Sequence, residues 1–298
     1  MEQGPWSLGA VLLTGSKGTT PPRRRMAESS HDKALPLTGR HPGARHRPPA
    51  GGTAADTGDR HGWQLLYLAA GASSILFVLL LIAALVLDFM APPPVHGGAP
   101  TLEFIAANKQ VYVAEQVLWI LPNILPVLVF AALFVALSAG QKSLPLIALV
   151  FGALPWALLL AVPVSSRGSL NLVYLSDRFT AAGSDEERRA YATAAEAIIA
   201  ENNTPAIVGA LSALGILLMG LAMLRGSAAL FPRYLGWLGA GTGALGVVSE
   251  VLRHAAPEFY WGYGILLWVW FIATGIALMR LSRVPARSPV PAVKVFGP

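Results

Sequence analysis

No cysteine occurs in the 298 residues, which excludes a disulfide framework, a thiolate metal site and a thiol nucleophile. Charge is scarce as well: Asp, Glu, Lys and Arg make up 13% of the chain, against about 25% in ordinary soluble domains. Three catalytic signatures are missing: the HExxH of zinc proteases, the GxxxxGK phosphate loop closed by Ser or Thr, and the GxSxG nucleophile elbow. Hydrolases and ATP-driven machines built on those motifs are thereby excluded. What is abundant is apolar, 54% of residues, and that composition belongs to the membrane class. The net charge of +6 then reads as basic cytoplasmic flanks, so no nucleic-acid partner is expected.

Residues 1–63 are rich in Gly, Pro, Arg and His, as in Pro21–Arg25 and Arg40–Gly52, without a sustained period. Such a segment buries too little apolar surface to offset its ordering entropy, so a disordered basic tail is expected there. The apolar patch Ala10–Leu13 is too short for a signal-peptide core and has no basic region before it. Met26 follows the basic run and stands beside Met1 as an alternative start.

Six apolar stretches follow: Leu65–Phe89, Val117–Leu137, Leu144–Val164, Ala206–Leu224, Tyr234–Leu252 and Phe259–Leu281. Each reaches the roughly 20 residues that carry a helix across the hydrocarbon core. The runs are continuous rather than alternating, so helices are expected and not a barrel. The fold class is therefore all-α, a six-helix transmembrane domain over 64–283, with a short tail over 284–298. Six crossings put both termini on one side. Placing them inside leaves ten basic residues on inner flanks, among them Lys142, Arg225, Arg233 and Arg280, against six outside, which favours cytoplasmic termini.

The outer loop 165–205 carries its own helix signal. Ser184 followed by Asp185, Glu186 and Glu187 is a capping box, and Tyr191, Ala194, Ala195, Ile198 and Ile199 recur at helical spacing. This predicts a short amphipathic helix over about 185–201, a connector that rests its apolar face on the bundle or on the headgroups.

Ionisable groups within a bilayer are costly, at least about 2.5–3.5 kcal/mol each near its middle, so each one needs a reason. Glu250, Arg253 and His254 lie three and four residues apart at the end of the fifth stretch, on a face that continues inward through Gly246 and Thr242. On the second stretch Glu115, Trp119, Pro122, Asn123 and Pro126 share a face in the same way. Both stripes open outward under the chosen topology, so a polar pocket between the second and fifth helices is the candidate ligand site. The plainer account of Glu250 and Arg253 is an interfacial ion pair, and of Asn123 an interhelical hydrogen bond. Each proline removes a backbone donor, and Asn123 between them is placed to supply one. Gly152 and Pro155 suggest a kink in the third helix.

His254 has no second histidine at ligand spacing, so neither a metal nor haem is expected, nor any other cofactor. Gly239 and Gly243 form a small-xxx-small pair, a helix-packing signal first and a homo-oligomer signal second.

Three short motifs carry a resemblance: LSDRF at Leu175–Phe179, FPRYLGWLG at Phe231–Gly239 and FYWGYGILLWVWF at Phe259–Phe271. With them, Gln64–Arg283 resembles an uncharacterised bacterial family of six-helix integral membrane proteins, a family of unknown function. The resemblance implies a multi-pass protein of the bacterial cytoplasmic membrane and implies no activity and no site residues. The residues favour a non-enzymatic component that binds a lipid, small molecule or protein partner through the outward pocket. A secondary transporter coupled to protons through Glu250 or Glu115 is the alternative, and an intramembrane lipid-modifying enzyme comes third.

Overall fold

The computed structural model describes residues 62–94, 96–161, 164–165, 168–203, 207–226, 230–253, 255–256 and 258–283. Both expected tails, apart from Gly62 and Trp63, lie outside these residues, as do Met26 and His254. The chain is helical throughout except for one small hairpin. In order it forms α1 (Gln64–Met90), α2 (Gly98–Ile120), a 3₁₀ turn (Leu121–Asn123), α3 (Ile124–Ser138) and α4 (Ser143–Leu158). The strands β1 (Val164–Ser165) and β2 (Gly168–Ser169) follow, then α5 (Asn171–Ala181), α6 (Asp185–Asn203), α7 (Ile207–Arg225), α8 (Arg233–Val251) and α9 (Glu258–Ser282).

Six of these close into a ring. Helix α1 packs on α3, α3 on α4, α4 on α7, α7 on α8, α8 on α9, and α9 returns to α1. Neighbours joined by short connections run antiparallel, and so do α9 and α1, where Ser74 lies by Phe271 and Gly71 by Gly275 and Met279. Between α9 and α1, Ser74 Oγ donates to Phe271 O at 2.6 Å while Gly71 lies against Gly275 and Met279. The interior is filled by aromatics: Phe77 meets Phe271 at 4.8 Å and Trp156 edge-on at 5.3 Å, and Trp270 meets Phe130 at 6.2 Å. The outside of the ring is apolar too, with Leu79, Ile147, Val150, Trp237, Ile265 and Val269 exposed. A fold that is apolar on both faces of its helices has hydrocarbon as its solvent, and the chain is a membrane-embedded protein.

Four stretches are long and apolar enough to cross: Gln64–Met90, Gly98–Ser138, Asp185–Arg225 through its α7 part, and Phe259–Ser282. The other two expected crossings fall short by one criterion each. The 16 residues of α4 are apolar but brief, because the helix ends at Leu158, six residues before the expected limit at Val164. The 19 residues of α8 are long enough but diluted by Gly236, Gly239, Gly241, Gly243 and Gly246. Helix α4 runs on through Pro155, which sits in its last turn and removes one backbone donor there.

Helix α2 starts at Gly98, 19 residues before the expected Val117, and its backbone leaves helical geometry at Asn108 (φ −124°, ψ 28°). With α5 and α6 it builds a cap on one end of the ring, and this cap has its own core of Leu102, Ile105, Tyr112, Leu172, Phe179, Ala195 and Ile199. The expected amphipathic helix is α6, and its apolar face is covered by α2 and α5. Its capping box is formed: Glu187 N donates to Ser184 Oγ at 3.2 Å, and Gly183 N donates to Glu187 Oε2 at 3.2 Å. Gly98 lets α2 and α6 touch, since a Cβ there would strike the Ala192 carbonyl. Ser176 Oγ donates to Leu102 O at 2.7 Å, and Lys109 Nζ pairs with Asp177 at 2.7 Å on the surface.

Candidate functional site

The cap end of the ring gathers the C-termini of α1, α4 and α8 with the N-termini of α7 and α9, and it holds the buried acids. Glu115 is 0% exposed, Asp88 2% and Glu250 4%. Two of these were singled out from the sequence. Asp88 was not, although an acid two residues before the end of an otherwise apolar run was signal enough.

Around Glu250 the chain assembles a compact polar rim. Arg253 Nη1 stands 3.6 Å from Glu250 Oε2, and the guanidinium lies over the Tyr260 ring at 4.8 Å. Tyr260 in turn meets Tyr263 edge-on at 6.1 Å. Helix α8 brings Glu250 in because Gly246 leaves room for the Tyr263 ring. Helix α7 admits the carboxylate because residue 209 is glycine: a Cβ there would come within 2.5 Å of Glu250 Oε1. Arg253 keeps 15% of its side chain exposed and is the part of the rim that solvent reaches. His254 lies outside the described residues.

The second stripe runs down α2 into the 3₁₀ turn. Trp119 Nε1 donates to Glu115 Oε1 at 3.2 Å, and Asn123 Nδ2 donates to Trp119 O at 3.2 Å. Asn123 thus supplies, from its side chain, a bond to the carbonyl one turn back, in the stretch where Pro122 and Pro126 remove backbone donors. The stripe has members that the sequence reading missed. Gln116, fully buried beside Glu115, accepts from Ser165 Oγ at 2.7 Å. The Tyr112 hydroxyl donates to Ser169 O at 3.2 Å and accepts from Ser169 N at 3.1 Å. Tyr112 and Gln116 lie four residues apart and hold the β1–β2 hairpin; no local pattern in the sequence announces that hairpin, so the stripe looked shorter than it is.

Among the described residues, no contact joins the two stripes that the sequence places around one pocket between the second and fifth helices. Helix α2 packs chiefly on α1, on the cap helices and on the hairpin, whereas α8 packs on α7 and α9. In the ring, α7 and α9 stand between α8 and the second crossing. Glu115 with Asn123 and Glu250 with Arg253 lie on these different helices at the same end of the ring. A groove of about 340 Å³ on the cap, lined by Ala99, Phe179, Asp185, Arg188, Arg189 and Ala192, shares no residue with either cluster.

Gly239 and Gly243 face inward. A Cβ on Gly243 would strike Leu217 N and come within 2.6 Å of Ala213 O on α7, and one on Gly239 would come within 2.5 Å of Trp270 Nε1 on α9. Among the described residues no three His, Asp or Glu side chains come together as metal ligands would.

Neither a curated protein nor a solved structure matches the chain. Residues 65–283 match the family described as Domain of unknown function (DUF4386), and the chain belongs to that family.

Proposed function

We propose that the protein is a six-span component of the bacterial cytoplasmic membrane, with cytoplasmic termini and an external cap, that binds a small molecule or lipid headgroup without catalysing a reaction. The six spans are supported by the packing of α8, which runs beside α7 and α9 from Gly236 to Gly246, two helices whose length and apolarity suit a crossing. The orientation rests on the basic residues Lys142, Arg225, Arg233 and Arg280 at the end away from the cap.

The observation that carries the binding reading is the ion pair of buried Glu250 with partly exposed Arg253, whose guanidinium lies over the Tyr260 ring. A guanidinium held over an aromatic face, partly reached by solvent, offers donors to a phosphate or carboxylate at headgroup depth. A thermal-shift screen of the purified chain against anionic lipids and small metabolites tests it. A ligand that raises the melting temperature of the wild type but not of Arg253→Gln supports the site. Stabilisation of both alike by every ligand contradicts it.

A proton-coupled transporter is the second reading, favoured by the burial of Glu115 and Glu250 at one end of the ring. Solute uptake into proteoliposomes that responds to a pH gradient and is lost in Glu250→Gln would support it over simple binding. A lipid-modifying enzyme ranks third, since no recognised catalytic signature occurs in the chain. Gly239 and Gly243 are engaged within the chain, so a homo-oligomer would use the outward face of α8, where Trp237 and Val248 stand exposed.

A further inference from the structure

Among the described residues the two ends of the ring differ in charge. Every Asp and Glu belongs to the cap or to the cap end, whereas the opposite end carries Lys142, Arg225, Arg233, Arg280 and Arg283 and no acid. Three of these cations gather around the last turn of α7. Gln141 Nε2 donates to Ala222 O at 2.7 Å, which sets the neighbouring Lys142 beside Arg225, one turn beyond Ala222. On the other flank Gly236 packs against Leu224, which sets Arg233, three residues before Gly236, on the other side of Arg225. All three residues are exposed, and none pairs with a described residue.

Arg225 is accounted for by its own helix, since the C-terminus of α7 favours a cation. Lys142 and Arg233 are not. They stand at the N-termini of α4 and α8, neither of which has an acid in its first turn or a side-chain cap, and there the helix dipole opposes a positive charge. Packed helices lie about 8–10 Å apart, so each of the two is one helix spacing from Arg225, a span that long flexible stems close from both sides. Convergent cations repel one another, and an anion between them turns that repulsion into attraction.

The surface beneath them suits hydrocarbon. Leu146 follows Lys142 by four residues on α4 and Trp237 follows Arg233 by four on α8, and both are exposed, at 48% and 68%. Residues at that spacing share a helix face, so each cation stands above an apolar side chain. Between them α7 is recessed. From Val208 to Leu224 none of its large apolar residues is exposed, because Gly215 lies on Gly152 of α4 while Gly220 and Gly243 bring in α8. We propose that the end of the ring away from the cap seats an anionic phospholipid, its phosphate among Lys142, Arg225 and Arg233 and its chains along α7 between α4 and α8. A lipid fits better than a soluble anion, because the cations stand at headgroup depth with an apolar furrow directly beneath them. This inference rests on the six-span reading, and it is independent of binding at Arg253 and of which leaflet this end faces.

Trp237 is the reporter. The full chain is reconstituted in phosphatidylcholine vesicles that contain a small, equal fraction of either chain-brominated phosphatidylglycerol or chain-brominated phosphatidylcholine. The Trp237 share of the emission is taken as the difference from Trp237→Phe. Quenching by the anionic lipid should exceed that by the neutral one about fivefold. The Lys142→Gln/Arg225→Gln/Arg233→Gln variant should lose this preference, while Arg280→Gln/Arg283→Gln, at the same end but by α9, should keep it. Quenching by the neutral lipid, unchanged in both variants, shows that they fold. Equal quenching by the two lipids in the wild type overturns the proposal. So does a preference lowered alike by both variants, which is diffuse attraction between lipid and a basic surface. If the neutral lipid fails to quench Trp237 at all, α8 does not face the bilayer, and it is the six-span reading that fails, taking the seat with it.

Discussion

Glu250 and Arg253, one turn apart on the cap end of α8, face each other at 3.6 Å with the carboxylate nearly enclosed and the guanidinium stacked over Tyr260. Each charge lowers the cost of burying the other, and that coupling is measurable. Glu250→Gln removes the carboxylate charge facing Arg253 and is expected to cost about 1–3 kcal/mol, the lower part of the range for broken buried pairs because Arg253 still reaches solvent. Arg253→Gln on its own should cost a similar amount, and the double variant less than the sum. A coupling of at least about 0.5 kcal/mol in a double-mutant cycle, read from reversible unfolding in mixed micelles, is the predicted outcome. Strict additivity would show that the pair contributes no more than its separate contacts.

The α7–α8 seam depends on glycine at specific positions. In lipid there is little hydrophobic drive between helices, and close van der Waals contact takes its place. A Cβ on Gly243 meets the backbone of α7, which cannot give way as a side-chain tip can, whereas Gly241, two residues away, faces open space. Gly243→Ala is therefore expected to destabilise by about 1–3 kcal/mol through overpacking. Gly241→Ala should be neutral or stabilising by up to about 1 kcal/mol, since glycine is the poorer helix former. Paired thermal melts of the two variants check this, and equal losses would contradict the inward assignment of Gly243.

The cap offers a similar contrast. Gly98→Val places a side chain against the Ala192 carbonyl and should lift α6 away from α2, while Gly183→Ala fills open space between α5 and α6. Trypsin cutting at Arg188 and Arg189 reports the difference. Gly98→Val should be cut faster than wild type, and Gly183→Ala at the wild-type rate. A Gly98→Val protein cut no faster than wild type would mean that α2 and α6 are not in contact.

What could be read in advance divides along physical lines. The limits of α1, α7, α8 and α9 fall within a residue of the hydropathy limits, because apolar content decides where a helix in lipid begins and ends. The first 19 residues of α2 were invisible to that criterion. Their run from Gly98 to Gln116 includes Glu103, Asn108, Lys109 and Glu115, so it reads as loop, and it is helical because Leu102, Ile105 and Tyr112 pack onto α5 and α6. The hairpin beyond the early end of α4 is likewise held by Tyr112 and Gln116 from a distant helix.

The candidate site shows the same division. The pairing of Glu250 with Arg253 was legible from their i, i+3 spacing, although α8 ends at Val251 and Arg253 lies in the turn beyond it. Which helices stand between α8 and the second crossing was not, because ring order is a tertiary property that no local pattern encodes. Gln116 escaped notice for a related reason. It lies one residue off the Glu115 face and turns toward a hairpin that only the folded chain supplies.

The central claim, six crossings with the cap outside and the termini inside, is open to direct measurement because the chain has no cysteine of its own. Gly140 in the α3–α4 turn and Gly183 in the cap both stand in open space, so each accepts a cysteine without disturbing its neighbours. Intact cells expressing Gly140→Cys or Gly183→Cys are treated with a membrane-impermeant maleimide, before and after permeabilisation. The account predicts that position 183 labels in intact cells and position 140 only once the membrane is opened. Labelling of both from the same side, or of position 140 alone in intact cells, would contradict it.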